Sequence, residues 1–210
     1  MTNPGPWQRI VNHGGIAVLL IRHGRTALNA EGRFCGARSD PPLDDQGREE
    51  VRALGERFAG LDARVFCSPQ LRARETAAVL GPAQVVDDLR ELDQGVLEGR
   101  RFGPALAEHA EFFAAWKRDP SDIPIPGGGE SMAALADRVE GALAGILSGL
   151  GPEPVPQTLA VVGHQMAQAA FLCRALDRPM RDWPKFELRN ASANVLAWDG
   201  QSWSLMGRNL

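Results

Sequence analysis

Short apolar runs recur along the chain and end at polar residues. The first covers residues 17–21 (AVLLI), and similar runs cover residues 65–67 (VFC) and 158–162 (TLAVV). Uninterrupted apolar runs of this length are typical of strands that are buried on both faces of a parallel sheet. Residues 84–86, 195–198 and 203–206 predict further strands, and the last two flank Asp199-Gly200, a dipeptide that favours a hairpin turn.

Amphipathic segments between the strands predict helices. Val51, Leu54 and Phe58 lie on one face of such a segment, while Ser68 and Pro69 predict a cap and a first helical position. The predicted helices cover residues 47–58, 70–80, 101–117, 165–176 and a stretch that begins after a cap at Ser131. Strands that alternate with helices indicate an α/β fold with a mostly parallel central sheet, to which the hairpin adds an antiparallel edge.

The remaining segments predict connections within one domain that spans residues 1–210. Residues 1–15 are rich in glycine and proline and predict a loose lead-in, with Trp7, Ile10 and Val11 packing on the core as an extra edge. Residues 149–157 predict a proline-rich connection, and too little chain follows it to form a second domain.

Composition narrows the classes of function. The chain has 210 residues, of which 44% are hydrophobic and 23% charged, and a formal net charge of −3, which argues against general binding to nucleic acid or membrane surfaces. Its three cysteines are odd in number and widely spaced, which is typical of reduced thiols. No apolar stretch is long enough to cross a membrane, and the N-terminus does not have the pattern of a signal peptide. We therefore expect a cytoplasmic protein.

Candidate chemistry lies at the carboxyl ends of the predicted strands. Arg22 and His23 follow the first strand, Arg72 lies in the first turn of the helix after the second, and His164 follows the strand over residues 158–162. Because the carboxyl ends of parallel strands share one edge of a sheet, these groups can converge there. Two arginines, two imidazoles and nearby helix N-termini would form a cationic pocket that suits a dianionic phosphoryl group.

Five motifs carry a resemblance to a known family. They are residues 22–26 (RHGRT) with Asn29, 68–77 (SPQLRARETA), 91–100 (ELDQGVLEGR), 128–131 (GGES) and 161–164 (VVGH). Through them the chain resembles the histidine phosphatase superfamily, in its phosphoglycerate-mutase-like branch. The motifs occur in the family's order at plausible spacing. The resemblance implies a three-layer sandwich in which a mostly parallel central sheet is flanked by helices.

The same resemblance implies a role for each matching residue. His23 would be the nucleophile that becomes phosphohistidine, and Glu91 would donate a proton to the leaving oxygen. Arg22, Arg72 and His164 would bind the phosphoryl oxygens, and Asn29 would help to hold that group or to orient the pocket. Two residues depart from the family pattern. Gly163 stands where serine or threonine often precedes the second histidine, and Gln165, which we place among the substrate-binding residues, stands where glycine often follows it.

The favoured function is hydrolysis of a small phosphorylated metabolite, without metal or other cofactor. A phosphoglycerate-mutase-type transfer is the nearest alternative, but the larger mutases carry extra chain that closes over the site. A non-catalytic phosphate-binding module is a second alternative. Cys67 lies too close to Arg72, with a proline between them, for the loop of a cysteine phosphatase. The oligomeric state is left open, with a homodimer as one alternative.

The sequence does not identify the leaving group. Sugar phosphates, phosphoglycerates, nucleoside monophosphates and phosphorylated cofactor precursors all remain candidates. Residues that can shape its pocket are Phe34, Cys35, Arg38, Arg101 and the stretch 112–116, although core packing is the more common role for such aromatic side chains. In the third motif Glu91 fits the proton donor best, Glu98 fits a structural role, and Asp93 and Glu98 are the next candidates for proton transfer.

Overall fold

A six-stranded sheet lies at the centre of the part of the chain that the structure describes, in the order β3-β2-β4-β1-β5-β6. The computed structural model describes residues 5–151 and 158–210. Its strands are β1 (Ile16–Arg22), β2 (Arg64–Cys67), β3 (Ala83–Val85), β4 (Thr158–Gly163), β5 (Ala193–Trp198) and β6 (Trp203–Gly207). Strand β1 pairs with β4, β4 with β2, and β2 with β3, all in parallel. Strand β5 pairs antiparallel with β1 and with β6, which gives the antiparallel edge that the sequence predicts.

Helices cover both faces of this sheet, so the protein is a three-layer α/β sandwich. The helices are α1 (Pro6–Asn12), α2 (Ala27–Ala30), α3 (Asp45–Arg57), α4 (Leu71–Ala77), α5 (Phe102–Glu108), α6 (Ala110–Arg118), α7 (Met132–Ser148) and α8 (Gln165–Ala175). Short 3₁₀ segments cover Asp87–Leu89, Gly95–Leu97 and Met180–Phe186. None of the helices in the described ranges is long and apolar enough to cross a bilayer.

Alternate residues of β1 pack on opposite layers, as the period of a strand requires. Val18 and Leu20 join α7 and α8 in one core cluster, while Leu19 and Ile21 join α3 and α4 in the other. Because both faces are covered, the whole strand must be apolar until it reaches the carboxyl edge of the sheet. This is why the run of residues 17–21 ends at Arg22 and His23.

Two predictions about the helices need correction. Residues 6–12 form a helix, with Ile10 buried and Trp7 packed 5.3 Å from Phe58 between ring centroids, so they are not a loose lead-in or an extra strand. The predicted helix over 101–117 is two helices, because the backbone leaves the helical region at His109. Arg100 contacts both Glu108 and His109 at this break. Residues 1–4 and most of the proline-rich connection, residues 152–157, lie outside the described residues.

The predicted start of α4 is also wrong. Its N-cap is Gln70, and α4 begins at Leu71, so Ser68 does not cap it and Pro69 does not lie in it. The backbone between β2 and α4 instead continues the sheet edge, where Ser68 N donates to Val162 O. The hydroxyl of Ser68 is therefore available for another partner. By contrast, Ser131 caps α7 as predicted, accepting a hydrogen bond from Ala134 N.

Candidate active site

The carboxyl ends of β1, β2 and β4 lie at the same level of the sheet. Arg22 pairs with Gly163, and Cys67 pairs with Val162, so that His23, Ser68 and His164 follow at one edge. The rings of the two histidines lie 5.1 Å apart between centroids. The parallel register thus brings together residues that are up to 142 positions apart (from Arg22 to His164).

His23 has one ring nitrogen fixed and the other available. Its Nδ1 donates a hydrogen bond of 2.7 Å to Gly24 O, which places the lone pair of the neutral ring on Nε2. Burial, followed by the charges of Arg72 and Arg22, holds the pKa of His23 well below its usual value. The imidazole is therefore neutral and able to act as a nucleophile.

Gly24 lets this histidine sit close to α3. A Cβ at Gly24 would lie 2.7 Å from Gly47 O, closer than side-chain carbons approach backbone atoms. Gly24 N also donates to the hydroxyl of Thr76 on α4, which fixes the turn after His23 from the other side.

Both arginines are held by backbone carbonyls. Arg22 donates to Leu188 O at 2.7 Å. The fully buried Arg72 donates to Ser39 O at 2.8 Å and to Gly36 O at 3.2 Å, both in the loop of residues 36–39. Carbonyl oxygens orient a guanidinium but do not neutralise it, so both charges remain available to an anion. The Nε atoms of both arginines are buried and have no hydrogen-bond partner among the residues described.

Glu98 holds the 36–39 loop in place. Its carboxylate accepts hydrogen bonds from Gly36 N at 3.1 Å, from Arg38 N at 3.0 Å and from the Ser39 hydroxyl at 2.6 Å. This agrees with the structural role predicted for Glu98. Asp93 forms an ion pair of 2.8 Å with Arg38 at the outer side of the same loop.

His164 is bonded to the serine that the sequence analysis placed at a helix cap. The Ser68 hydroxyl lies 2.7 Å from His164 Nε2 and accepts a hydrogen bond of 3.3 Å from Gln70 N. We assign the hydroxyl proton to the bond with His164 Nε2 and the ring proton to Nδ1, the tautomer in which the buried Nδ1 can donate to an anion. That Nδ1 is buried and has no partner within the described ranges. Burial and the Arg72 charge hold the pKa of His164 well below its usual value, so the ring is neutral.

Glu91 lies at the N-terminus of α8, within the charge field of Arg72. Its Oε1 accepts from Leu92 N at 2.8 Å and Ala167 N at 2.9 Å, and its Oε2 accepts from Met166 N at 3.0 Å. Burial outweighs these hydrogen bonds and Arg72, and raises the pKa of Glu91 above its usual value. Oε2 accepts fewer bonds than Oε1, so it is the oxygen with room for a proton.

The side-chain amides of Asn29 and Gln165 are partly engaged. Asn29 Oδ1 accepts from Thr26 N and from the Thr26 hydroxyl, and its Nδ2 donates to none of the residues described. Gln165 Oε1 accepts from Leu188 N at 2.8 Å, and its Nε2 lies 3.5 Å from Phe186 O. Gln165 thus fixes the backbone that carries the carbonyl partner of Arg22.

The space around Gly163 does not require a glycine. A Cβ at this residue would meet Gln168 Nε2 at 3.4 Å, an ordinary contact. In the described ranges no group of three or more histidine, cysteine or acidic side chains could hold a metal ion.

Among the residues described, the arrangement combines a neutral histidine whose Nε2 has no partner, two arginines without a carboxylate ion pair, a second histidine with an unpartnered Nδ1 and a buried carboxyl of raised pKa. Positioning and charge stabilisation are the main requirements of phosphoryl transfer, and a carboxylic acid can protonate a leaving oxygen. The fold and the site together define an α/β protein with a phosphoryl-transfer centre.

Comparison with known proteins places this class more narrowly. A family model described as the histidine phosphatase superfamily (branch 1) matches residues 18–210. A Salmonella paratyphi C protein named "Probable phosphoglycerate mutase GpmB" is 35% identical over 203 residues, which cover 91% of this chain and 89% of that protein. The chain belongs to the histidine phosphatase superfamily, branch 1.

Solved structures show the same fold. The mycobacterial glucosyl-3-phosphoglycerate phosphatase superposes with a TM-score of 0.81 at 27% identity, covering 93% of this chain and 99% of that one. The α-ribazole phosphatase of Shigella flexneri superposes with a TM-score of 0.78 at 26% identity, covering 93% and 96%. Similarity over nearly the whole of both chains confirms the fold that the five motifs imply.

Ser68→Ala tests whether the hydroxyl positions His164. We expect kcat to fall about tenfold, because the lost hydrogen bond frees the His164 ring and its tautomer. Ser68→Thr, which keeps a hydroxyl, should restore part of the rate. Ser131→Ala, which removes only the cap of α7, serves as the control that lowers stability without lowering kcat. An unchanged kcat in a folded Ser68→Ala protein would show that the bond has no role in turnover.

Proposed function

We propose that this protein is a phosphatase that hydrolyses small phosphomonoesters through a phosphohistidine on His23. The observation that carries the proposal is the His23 ring, which is neutral and whose Nε2 has no partner among the residues described. It lies with two arginines that backbone carbonyls hold in place of carboxylate ion pairs. The comparisons support a phosphatase, because the family and the two solved structures named above are described as phosphatases.

In the first half-reaction, His23 Nε2 attacks phosphorus and the bond from phosphorus to the leaving oxygen breaks. Arg22, Arg72 and His164 Nδ1–H hold the three other oxygens, and Asn29 Nδ2 assists them. Glu91 gives its proton to the leaving oxygen and becomes a carboxylate. The leaving group departs as an alcohol, and the phosphoryl group stays on His23.

In the second half-reaction, the Glu91 carboxylate takes a proton from water and the water oxygen attacks phosphorus. The phosphorus–nitrogen bond breaks, which releases inorganic phosphate and returns His23 to its neutral form. In this scheme Gln165 acts on the phosphoryl group indirectly, by fixing the loop whose Leu188 carbonyl orients Arg22. Direct contact between Gln165 and the substrate stays a prediction.

The reaction products distinguish the proposed phosphatase activity from mutase activity. The mutase alternative is favoured by the relative named "Probable phosphoglycerate mutase GpmB". Incubation with 3-phosphoglycerate should release inorganic phosphate and glycerate, with no 2-phosphoglycerate, when the products are separated and quantified. Isomerisation without phosphate release would replace the phosphatase with a mutase, and no turnover of any phosphomonoester would leave a phosphate-binding module.

Turnover should need no divalent metal, because Arg22, Arg72 and His164 supply the positive charge. We expect the rate with p-nitrophenyl phosphate to be unchanged by EDTA, and vanadate to inhibit by adopting the geometry of pentacoordinate phosphorus. Loss of activity on chelation, with recovery when a metal ion is added back, would contradict this.

The remaining expectations concern context. We propose that the whole chain, residues 1–210, acts as one domain in the cytoplasm, on a small phosphorylated metabolite rather than on nucleic acid. The three free thiols of Cys35, Cys67 and Cys173 support a reducing compartment. A homodimer stays a prediction.

A further inference from the structure

A cavity of about 560 Å³ lies beside the catalytic centre, and aromatic side chains dominate its wall. We call it the aromatic pocket, and its principal lining residues are Phe34, Leu106, Phe113, Trp116 and Trp183. Phe34 and Phe113 lie nearly parallel with centroids 6.2 Å apart, and Trp116 and Trp183 meet edge to face at 5.8 Å. From the sequence, these aromatic side chains could either pack in the core or shape a substrate pocket. In the structure, Phe34, Phe113 and Trp116 line the cavity.

The aromatic pocket begins at the residues that hold the proposed proton donor. Leu92 and Met166 both line it, and their backbone N–H groups donate to the two oxygens of the Glu91 carboxyl. A leaving group whose oxygen reaches Glu91 would extend toward this cavity.

The direction of phosphoryl transfer points the same way. The attacking and leaving atoms lie roughly in line through phosphorus, so the leaving group departs on the side opposite His23 and close to Glu91. A second, charged groove borders Arg22 and is lined by Glu50, Arg57, Glu187 and Arg189. That groove adjoins a ligand of the phosphoryl oxygens and not the proton donor, so the in-line geometry favours the aromatic pocket for the leaving group.

The chemistry of the wall defines the leaving group that it accepts. Lys117 and Arg181 also line the cavity but are exposed, so their charges lie toward its mouth. The inner wall offers aromatic faces and edges, which pack favourably on another ring. The wall also carries the amide of Gln94, the carboxylate of Asp182 and the Trp116 Nε1–H, which has no partner among the residues described. These groups are few beside the aromatic and aliphatic lining, so a polyhydroxylated leaving group would lose most of its water there for few hydrogen bonds in return.

We infer that the preferred substrates are phosphate monoesters of aromatic alcohols, with the ring seated in the aromatic pocket; this rests on the proposed function. Of the four substrate classes that the sequence leaves open, this inference disfavours sugar phosphates and phosphoglycerates. The pocket selects the leaving group, while the arginines and histidines bind the phosphoryl group that all candidates share.

The test compares two esters of primary alcohols, 2-phenylethyl phosphate and glycerol 1-phosphate. Both release an alkoxide and depend on Glu91 in the same way, so their difference reports the leaving-group site. We expect kcat/KM to favour the phenylethyl ester about 10- to 100-fold, as ring burial in an apolar pocket permits. A ratio near one, or a preference for glycerol 1-phosphate, would overturn the inference and leave the phosphatase proposal intact.

Leu106→Glu places a charge in the wall at a residue that is 44% exposed, which limits its effect on folding. We expect it to lower the phenylethyl-to-glycerol ratio about tenfold. Val79→Glu is the matched control, because Val79 is 43% exposed and lies outside the aromatic pocket. An equal fall of the ratio in both variants would contradict the assignment of the pocket.

Binding separates failure of the inference from failure of the proposed function. His23→Ala cannot turn over either ester by the proposed route, so calorimetry with this variant measures the pocket alone. Tighter binding of 2-phenylethyl phosphate than of glycerol 1-phosphate is expected. Equal binding would refute the pocket assignment, whereas tighter aromatic binding in a protein that proves inactive as wild type would refute the phosphatase and keep the pocket.

Discussion

His23→Ala is expected to abolish phosphate release, with a loss of at least about 10⁴-fold in kcat for any phosphomonoester. In the proposed mechanism this side chain supplies the nucleophile, and His164 does not replace it, because its Nε2 is bonded to Ser68. The assay is a rapid quench with ³²P-labelled substrate, followed by a search for an acid-labile, base-stable adduct on the protein.

The matched control is His13→Ala, since His13 is exposed and its side chain bonds the carbonyl of Arg9 in the adjoining helix. It should keep the adduct and the full rate. An adduct that survives His23→Ala at its wild-type level would assign the nucleophile to another residue.

Glu91→Gln should slow transfer to His23 in proportion to the basicity of the leaving oxygen. An alkyl ester releases a poor alkoxide leaving group and should lose about 10²–10⁴-fold, the usual contribution of general acid catalysis. p-Nitrophenyl phosphate releases a stable phenolate and should lose far less. Because the proposed mechanism also uses Glu91 as the base in the second half-reaction, burst kinetics are needed to isolate the first step.

The pH profile gives an independent readout of the same residue. Burial raises the pKa of Glu91, so the protonated acid persists to higher pH than in an exposed carboxyl. The first step with an alkyl ester should therefore decline as pH rises through that pKa, and Glu91→Gln should remove this decline. Asp93→Asn is the control, since Asp93 pairs with Arg38. Equal losses for both ester types in Glu91→Gln would exclude Glu91 as the donor.

The sequence predicted the parts of the site that follow buried strands. Arg22, His23 and His164 each stand where an apolar run ends, and the parallel register makes such residues neighbours. The sandwich follows for the same reason, because β1 and β4 are apolar on both faces and need a helical layer on each side. These features depend on patterns that are local in sequence, so they can be recognised without knowledge of tertiary contacts.

Ser68 shows where the local pattern misleads. A serine followed by proline before an amphipathic segment is typical of a helix start, yet its hydroxyl bonds a histidine 96 positions away. The helix of residues 6–12 was missed because its glycine- and proline-rich surroundings favour turns, whereas its stability comes from packing Ile10 and Trp7 on the core. In both cases a tertiary contact outweighs the local preference.

The loop of residues 36–39 was also beyond prediction, although its anchor Glu98 was assigned a structural role. Nothing in its sequence indicates that its carbonyls hold Arg72. Every residue carries a backbone carbonyl, so the residue types do not show which carbonyl will accept a hydrogen bond. Only the folded chain brings Gly36 O and Ser39 O to the guanidinium.

That mode of holding Arg72 has a thermodynamic consequence for the empty enzyme. Neither Arg22 nor Arg72 forms an ion pair with a carboxylate in the described part of the chain, since backbone carbonyls hold both. The carboxylates of Glu91, Glu187 and Glu50 offset the Arg22 charge only from a longer distance, so the folded state still encloses two like charges. Such charges oppose folding, and an oxyanion that binds between them removes the penalty. Because the folded form alone binds the anion, occupancy adds RT ln(1 + [L]/Kd) to the free energy of unfolding. We therefore expect the centre to keep the unliganded protein less stable than its packing would allow, and inorganic phosphate to raise the free energy of unfolding.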